Sequence, residues 1–358
     1  MRHILDLQDM GMDMWNTLYA SCCDIMRNPR DYIDAARGKV MASLFYEPST
    51  RTNLSFQTAM LRLGGSVMGF ADPNLSSVSK GETLKDTIIM TSSYSDVIVM
   101  RNPREGAAKA ASLYSRVPVI NAGDGGHLHP TQTLTDLTTI MRYRGKIDDM
   151  CIGFCGDLKN GRTVHSLIKS LLGFKKIVYY LISPKELALP SYMLKLLQEN
   201  GQRFYEVSDL EACIPELDVL YMTRIQQERF VDRLEYERLK GVYVLDSRKM
   251  QAAKKDMIVL HPLPRVDEIT GDMDDDPRAA YFEQARCGMY IRMALLLHVM
   301  QESSVRPEHL AAVERPQLCK NDRCITKTER YLEPLTKNVH GLVCCAYCDK
   351  EIGEHHHL

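Results

Sequence analysis

The stretch 40-VMASLFYEPSTRTNLSFQTAMLRL-63 changes from a continuous apolar run to a helical pattern within a few residues. Residues 40–45 form a short apolar run, which is typical of a strand buried on both faces. Phe56, Met60 and Leu63 then recur with the spacing of one helix face. The stretch therefore predicts a strand followed by a helix, with polar residues at the turn between them.

The same alternation of apolar runs and helical patterns continues along most of the chain. Further runs that predict strands are 97–100, 117–120, 151–154, 177–180, 219–222, 242–245 and 257–260. Strands that alternate with helices indicate an α/β fold with parallel sheets. One sheet holding all of these strands would be unusually wide, so we expect two doubly wound parallel-sheet domains. The first would span 1–141, completed by a helix at about 276–301, and the second would span 142–275.

The composition is that of a soluble globular protein, since 45% of the 358 residues are hydrophobic and 25% are charged. The formal net charge is −1, so no global basic surplus points to nucleic acid as a partner. No apolar run approaches the roughly 18 residues of a membrane helix, and the first residues carry no apolar signal core. We therefore expect a cytoplasmic protein without a membrane partner, whose eleven cysteines are thiols or metal ligands.

Polar residues follow the predicted strands at several places. The turn 48-PSTRT-52 precedes a helix, where backbone N–H groups and the helix dipole favour a phosphate. Its alternative interpretation is a Ser49 helix cap beside a surface arginine. Other strand ends carry Arg101, 123-GDGGHLHPTQ-132, 156-GDLKNGRT-163, 221-YMTRIQ-226 and 261-HPLPR-265. Ligands of open α/β sheets bind beyond the carboxyl ends of the strands, so the five arginines 51, 101, 162, 224 and 265 predict a substrate with several negative charges.

Taken together, these segments resemble the catalytic chain of the aspartate transcarbamoylase family. The matching motifs are 45-FYEPSTRT-52, 80-KGET-83, 129-HPTQ-132, 156-GDL-158, 161-GRT-163, 224-RIQ-226 and 262-PLPR-265. The first motif indicates a transcarbamoylase, and the last two point to the aspartate branch. The resemblance implies that carbamoyl phosphate and L-aspartate react to give N-carbamoyl-L-aspartate and phosphate.

The resemblance also implies a role for each matching position. The carbamoyl-phosphate site would comprise Ser49, Thr50, Arg51, Thr52, Ser76, Lys80, Arg101, His129, Gln132 and Leu263. The aspartate site would comprise Lys80, Arg162, Thr163, Arg224, Gln226, Pro262 and Leu263. The catalytic groups would be Arg51, Thr52, Arg101 and His129. In the family the loop with Ser76 and Lys80 reaches a neighbouring subunit's site, which implies a homotrimer or a multiple of trimers with shared active sites.

The implied chemistry needs no cofactor. Negative charge builds on the carbonyl oxygen during amine attack, and Arg101 and His129 are suited to stabilise it. Phosphate is already a good leaving group and the nearest base for the amine proton, so we expect no dedicated catalytic carboxylate.

The last fifty or so residues carry few large apolar side chains and a cluster of cysteines. Cys319 and Cys324 form a C-x4-C knuckle, and Cys345 and Cys348 form a C-x2-C knuckle. Four thiolates in two knuckles suit a structural Zn²⁺, with Cys344 as an alternative to Cys345 and unligated thiols as the competing interpretation. We therefore predict a small zinc module at 306–358, because so short a segment needs a clip in order to fold.

This tail resembles the zinc domain of the aspartate transcarbamoylase regulatory chain. That chain also has a nucleotide-binding half, for which this sequence has no room. We therefore expect the module to brace contacts between catalytic subunits without sensing CTP or ATP.

Two other functions compete with this interpretation. A transcarbamoylase for another amine, such as the cationic substrate ornithine, would need carboxylates where this chain offers Arg224, Gln226 and Arg265. A catalytically silent scaffold would have lost phosphate or carbonyl contacts, and every expected position is present.

Overall fold

The computed structural model describes residues 3–7, 10–225, 234, 241, 243–301, 318–339 and 342–353. The chain divides into two compact units, residues 1–131 with 289–358 and residues 132–288. The described helices of at least one α-helical turn are α1 Met12–Arg27, α2 Thr50–Arg62, α3 Leu84–Ser92, α4 Ala107–Ser112, α5 Pro130–Arg144, α6 Arg162–Leu171, α7 Ser191–Glu199, α8 Leu210–Cys213 and α9 Tyr281–Gln301. The strands are β1 Val40–Phe45, β2 Ser66–Phe70, β3 Val97–Asn102, β4 Val119–Asp124, β5 Met150–Cys155, β6 Ile177–Ile182, β7 Arg203–Val207, β8 Val219–Met222, β9 Ile258–Leu260, β10 Thr336–Val339, β11 Leu342–Cys345 and β12 Glu351–Gly353.

The first unit is built on a four-stranded parallel sheet in the order β2-β1-β3-β4. Ala42 and Leu44 of β1 lie in one core with Ile98 and Met100 of β3, since alternate residues of a strand share a face. Helices α3 and α4 contribute to the same core. The buried central strands explain why their sequences read as continuous apolar runs.

The C-terminal segment belongs to the first unit and forms a three-stranded antiparallel sheet in the order β10-β11-β12. Its apolar side chains share one hydrophobic cluster with α3, α4 and the first sheet: they are Ile325, Leu332, Leu335, Tyr347 and Ile352. The backbone of Glu105 exchanges hydrogen bonds of 2.9 Å with the carbonyl of Arg323 and the amide of Ile325. The side chains of Glu329 and Tyr331 accept hydrogen bonds from the first amides of α3, at 3.2 and 2.8 Å. The segment is therefore docked on the first unit through both its core and its backbone.

The second unit holds a five-stranded parallel sheet in the order β7-β6-β5-β8-β9. The sequence prediction of a strand at 242–245 was wrong for the described residues 243–245, where Leu245 makes only a single bridge to Ile269. The last strand of the sheet is β9, which pairs with β8. Tyr243 and Leu245 are buried instead in a hydrophobic cluster that also holds Leu220 of β8 and Val259 of β9.

Candidate active site

Each parallel sheet has one place where the strand order reverses. In the first sheet the chain runs from β1 to β2 on one side and then to β3 on the other side of β1. In the second sheet it runs from β5 through β6 to β7, and then to β8 on the other side of β5. Ligands of doubly wound sheets bind at such switch points, beyond the carboxyl ends of the strands. Both switch points are flanked by predicted arginines, Arg51 and Arg101 in the first unit and Arg162 and Arg224 in the second.

The turn after β1 presents the open amino end of α2. Ser49 precedes the helix with φ −157° and ψ 84°, and its side chain makes no capping hydrogen bond. The interpretation of Ser49 as a conventional side-chain cap is therefore wrong. The first-turn N–H groups receive no hydrogen bond from that side chain, which leaves them available to an anion. Thr52 is buried, whereas Thr50 and Arg51 are exposed.

A buried guanidinium lies beside this helix end. Arg101 forms an ion pair with Glu47, Nε to Oε1 at 2.7 Å, and its side chain is only 12% exposed. Burial lowers the pKa of Arg101, and the Glu47 carboxylate opposes that effect. Burial and the charge of Arg101 also lower the pKa of Arg51. The two arginines are thus close enough to repel each other, and an anion would relieve that repulsion.

His129 adjoins the same guanidinium. Its Nε2 lies 3.4 Å from Nη1 of Arg101, and the residue is 5% exposed. Because a guanidinium can only donate hydrogen bonds, this contact favours the neutral imidazole. Gly123 at the end of β4 has φ +121°, and a Cβ there would lie 3.3 Å from Nη1 of Arg101. The glycine therefore leaves room for the arginine and the histidine to meet.

Asp124 organises the loop that leads to His129. This buried carboxylate accepts hydrogen bonds from the amides of Gly106 and Leu128, at 2.8 and 3.0 Å. It also contacts Nδ1 of His127 at 2.9 Å, and Nε2 of His127 lies 3.1 Å from Asp349 of the C-terminal segment. Asp124 and His127 were not predicted from the sequence as functional residues. The glycine-rich turn 123-GDGG-126 was the one signal for them.

The loop with Ser76 and Lys80 also belongs to the first unit. The hydroxyl of Ser76 donates to the carbonyl of Pro73 at 2.8 Å and accepts from the amide of Val78 at 3.3 Å. Lys80 is exposed. The loop therefore presents its lysine to solvent on a surface turn.

In the second unit, Arg162 and Thr163 begin α6, and Arg224 follows β8. Thr223 joins the loops after β5 and β8: its hydroxyl accepts from the amide of Asp157 at 3.0 Å and donates to the carbonyl of Cys155 at 2.9 Å. Arg162 and Arg224 are thereby placed at the ends of two paired strands. The predicted residue Gln226 lies outside the described residues.

The segment after β9 is held by His261. Its Nδ1 accepts from the amide of Leu263 at 2.7 Å, and its Nε2 contacts Oε1 of Glu268 at 2.7 Å. Leu263 has φ +56° and is followed by a cis peptide bond to Pro264. Pro262 and Leu263, two of the predicted site residues, therefore sit in a turn fixed by a buried side chain.

Arg265, like Arg101, is paired with a carboxylate. Its guanidinium pairs with Asp274 and donates to the hydroxyl of Tyr281 at 2.9 Å. The hydrogen bonds that Arg265 donates to Asp274 raise the pKa of Arg265, which is the effect of an ion pair. The role of Arg265 toward a substrate stays a prediction.

The C-terminal segment holds a buried four-cysteine group, Cys319, Cys324, Cys345 and Cys348, whose sulfur atoms lie within 4.8 Å of one another. The Sγ atoms of Cys319 and Cys348 are 3.6 Å apart, and those of Cys324 and Cys345 are 3.9 Å apart. Tetrahedral ligands at a Zn–S distance of about 2.3 Å would be about 3.8 Å apart. The group could bind a metal ion. Cys344 is not part of it, since adjacent residues of β11 point to opposite faces.

Comparison with known proteins shows the family. The model of the aspartate/ornithine carbamoyltransferase carbamoyl-P binding domain matches residues 2–142, and that of the Asp/Orn binding domain matches residues 148–299. The aspartate carbamoyltransferase catalytic subunit of Clostridium perfringens is 57% identical over 303 residues, which cover 84% of this chain and 99% of the relative. That of Clostridium acetobutylicum is 55% identical, with 84% and 98% covered.

Two solved structures are similar over the same region. The catalytic subunit of M. jannaschii aspartate transcarbamoylase has a TM-score of 0.80 and 48% identity, and covers 84% of this chain and 98% of its own. The Trypanosoma cruzi aspartate transcarbamoylase in complex with N-(phosphonacetyl)-L-aspartic acid has a TM-score of 0.78 and 40% identity, with 83% and 95% covered. Neither family model extends past residue 299. Within the described part of the chain, no helix combines the length and apolar character needed to cross a membrane.

Proposed function

The chain belongs to the aspartate and ornithine carbamoyltransferase family, and we infer from this premise that it transfers the carbamoyl group of carbamoyl phosphate to the amine of L-aspartate. The products are N-carbamoyl-L-aspartate and phosphate, and the reaction is a step of pyrimidine biosynthesis. The observation that best supports the proposal is the pair of arginines at each switch point. Both substrates carry more than one negative charge, and each sheet offers two cations where a ligand would bind.

We propose that the first unit holds carbamoyl phosphate. The amino end of α2, with Ser49, Thr50 and Arg51, suits the phosphate because it offers open N–H groups and a guanidinium. Arg101 and His129 suit the carbonyl oxygen together with Thr52, because all three are largely buried where water would not weaken their interaction. Loss of one donor to a developing oxyanion costs about 3–4 kcal/mol.

The second unit is proposed to bind aspartate. Its proposed aspartate-binding residues are Arg162, Thr163, Arg224, Gln226 and Pro262. Gln132 and the backbone near Leu263 would hold the carbamoyl amide. Much of the rate would come from holding two anions side by side, which the arginines make possible by offsetting their repulsion. The departing phosphate would take the amine proton.

We propose three domains for the chain. The first is 1–141, completed by the helix at about 276–301; the second is 142–275, and the third is the module at 306–358.

Steady-state kinetics test this assignment. The purified chain should carbamoylate aspartate and not ornithine, and Arg224→Ala should raise KM for aspartate by at least tenfold while leaving carbamoyl-phosphate binding within about threefold. Arg37→Ala, at an exposed arginine paired with Asp34, is the matched control. Turnover of ornithine would favour the other branch of the family, and the absence of any turnover would favour a silent scaffold.

We also propose that the four-cysteine group holds a structural Zn²⁺. The sulfur separations support this, because they match those expected around a tetrahedral ion. The ion would supply a cross-link and take no part in catalysis. Metal analysis should find one zinc per folded chain, and its absence would contradict the module.

A homotrimer, or a multiple of trimers, with shared active sites is proposed as well. Lys80 on an exposed turn is suited to reach a neighbouring subunit. The module would brace contacts between catalytic subunits and would not sense nucleotide, so a saturable effect of CTP on the purified chain would count against this part. A cytoplasmic location is proposed because none of the eleven cysteines, all of which lie in the described residues, forms a disulfide.

A further inference from the structure

A buried carboxylate in the second unit has no part in the mechanism described so far. Asp136 lies on α5, one turn after Gln132, and is fully buried. Its Oδ1 accepts hydrogen bonds from Nε2 of Gln132 at 2.8 Å and from Nε2 of Gln284 at 2.6 Å. Its Oδ2 accepts from the hydroxyl of Tyr221 at 3.0 Å. A buried carboxylate is stable only when it is surrounded by donors, and these side chains supply them.

The hydrogen bond from Gln284 to Asp136 shows which way the side-chain amides of Gln284 and Gln132 point. The Oε1 atom of Gln284 accepts a hydrogen bond from the backbone amide of His261 at 2.9 Å, so its NH₂ group must face Asp136. An ionised carboxylate only accepts hydrogen bonds, and the same rule then applies to Gln132. Its NH₂ group faces Asp136, and its oxygen faces the opposite way.

The direction of the Gln132 oxygen bears on substrate choice. The carbamoyl group ends in NH₂, a donor, and an acyl phosphate such as acetyl phosphate has a methyl group at that place. A site that offers a buried acceptor binds the donor well, and it rejects the methyl group because the acceptor is then left unpaired. A Gln132 side chain turned the other way would present its own NH₂ group and repel the substrate.

We propose that Asp136 is a positioning residue that selects carbamoyl phosphate over acyl phosphates by fixing the oxygen of Gln132 toward the carbamoyl NH₂ group. Through Gln284 the same carboxylate is tied to the backbone of His261, which begins the turn that carries Leu263. The two elements proposed to hold the carbamoyl amide thus share one anchor. This inference rests on the proposed function, in particular on the role of Gln132.

Two stable analogues isolate the effect. Phosphonoacetamide and acetonylphosphonate differ only in carrying NH₂ or CH₃ on the same carbonyl carbon, and calorimetry of the purified full chain gives the ratio of their dissociation constants. The wild type should prefer the amide by about tenfold, the factor for one hydrogen bond worth about 1.4 kcal/mol. Asp136→Ala, which frees Gln132 to turn, should bring the ratio to within about threefold of unity.

Conservative variants separate orientation from simple damage. Asp136→Asn keeps an acceptor at the Oδ1 position, and its NH₂ group can donate to the Tyr221 hydroxyl, so the preference for the amide should survive. Tyr221→Phe removes a donor to the same carboxylate without touching Gln132 and should also leave the ratio unchanged. If circular dichroism shows that Asp136→Ala does not fold, Asp136→Ser provides the same test. The serine side chain is shorter than that of aspartate and leaves room for a water molecule in place of the carboxylate.

The outcomes are distinct. An unchanged ratio in Asp136→Ala or Asp136→Ser overturns the inference, as does loss of the preference in Asp136→Asn. A wild-type protein that binds neither analogue overturns the proposed function itself. A wild type that binds both analogues equally shows that the proposed amide contact of Gln132 is wrong and leaves the assignment of the phosphate site intact.

Discussion

His127 links the loop that carries His129 to the C-terminal segment, and replacing it should change how stability depends on pH. Its ring lies between the carboxylates of Asp124 and Asp349, at 2.9 and 3.1 Å, and its side chain is 11% exposed. Burial by itself would lower the pKa of His127, but the charges and hydrogen bonds of Asp124 and Asp349 outweigh it and raise the pKa to about 10. The histidine is therefore a cation in the folded protein at neutral pH.

The magnitude follows from linkage between protonation and folding. A histidine pKa of about 10 in the folded chain and 6.5 in the unfolded chain corresponds to about 5 kcal/mol. Because the folded value is the higher one, this stability is fully present below pH 6.5 and is lost as pH rises toward 10. Between pH 6.5 and 9.5 the loss amounts to about 3–4 kcal/mol. The lowered pKa of Asp349 describes the same contact and is not counted again.

Urea unfolding of the zinc-loaded chain at pH 6.5, 8 and 9.5, followed by circular dichroism, measures this loss. The His127→Gln variant should start several kcal/mol less stable at pH 6.5 and show a much flatter profile up to pH 9.5. Lys337→Gln is the matched control, because Lys337 pairs with the same Asp349 at 2.6 Å but is 45% exposed, so its removal should cost less than about 1 kcal/mol and leave the slope unchanged. Equal slopes for the wild type and His127→Gln would refute the reasoning.

Three further predictions concern the same unit. His129→Ala should lower kcat by about 10²–10³ while the melting temperature changes little, as steady-state kinetics and calorimetry would show; a loss under fivefold would exclude a role at the oxyanion. Gly106→Ala should destabilise the docked C-terminal segment, because Gly106 has φ +84° and the new Cβ would lie 2.6 Å from the backbone of Tyr347. Gly81→Ala is the control: its φ is +90° but the space around it is open, so thermal melts should show a loss of only about 1 kcal/mol. Treatment with a thiol-reactive mercurial and a chelator should release one zinc per chain and lower the melting temperature. A chain that melts at the same temperature without metal would argue against a structural ion.

The central strands could be predicted from the sequence because they are buried on both faces, as β1 and β3 illustrate. The edge strands β2 and β7 were missed because their partly exposed residues mix polar and apolar side chains. The run at 242–245 was misread for the opposite reason, since apolar residues also fill a core without pairing.

The residues of the candidate site also divide into those that could be predicted from the sequence and those that could not. Residues at strand ends, such as Arg51 and Arg101, could be predicted because a parallel sheet gathers its strand ends at one edge. Asp136 could not be ranked as important from the sequence, because its partners Tyr221 and Gln284 are far along the chain. Asp124 could not be ranked either, because its link to the C-terminal segment runs through His127 to Asp349. The ion pair of Arg265 with Asp274, nine residues away, could not be predicted either, because it depends on how the segment between them folds.

The C-terminal segment has a source of stability besides the proposed metal ion. The cysteine spacing suggested that a metal alone would clip the segment, but its cysteines and Tyr347 also share a core with the alanine-rich helix α4, against which the backbone approaches closely at Gly106. A metal that binds only the folded segment stabilises docking, and docking must strengthen metal binding by the same factor. Gly106→Ala, which touches no cysteine, should therefore weaken zinc binding by about tenfold for each 1.4 kcal/mol of docking lost, as competition with a chromophoric chelator would measure. An unchanged zinc affinity in that variant would show that the metal site folds without its dock.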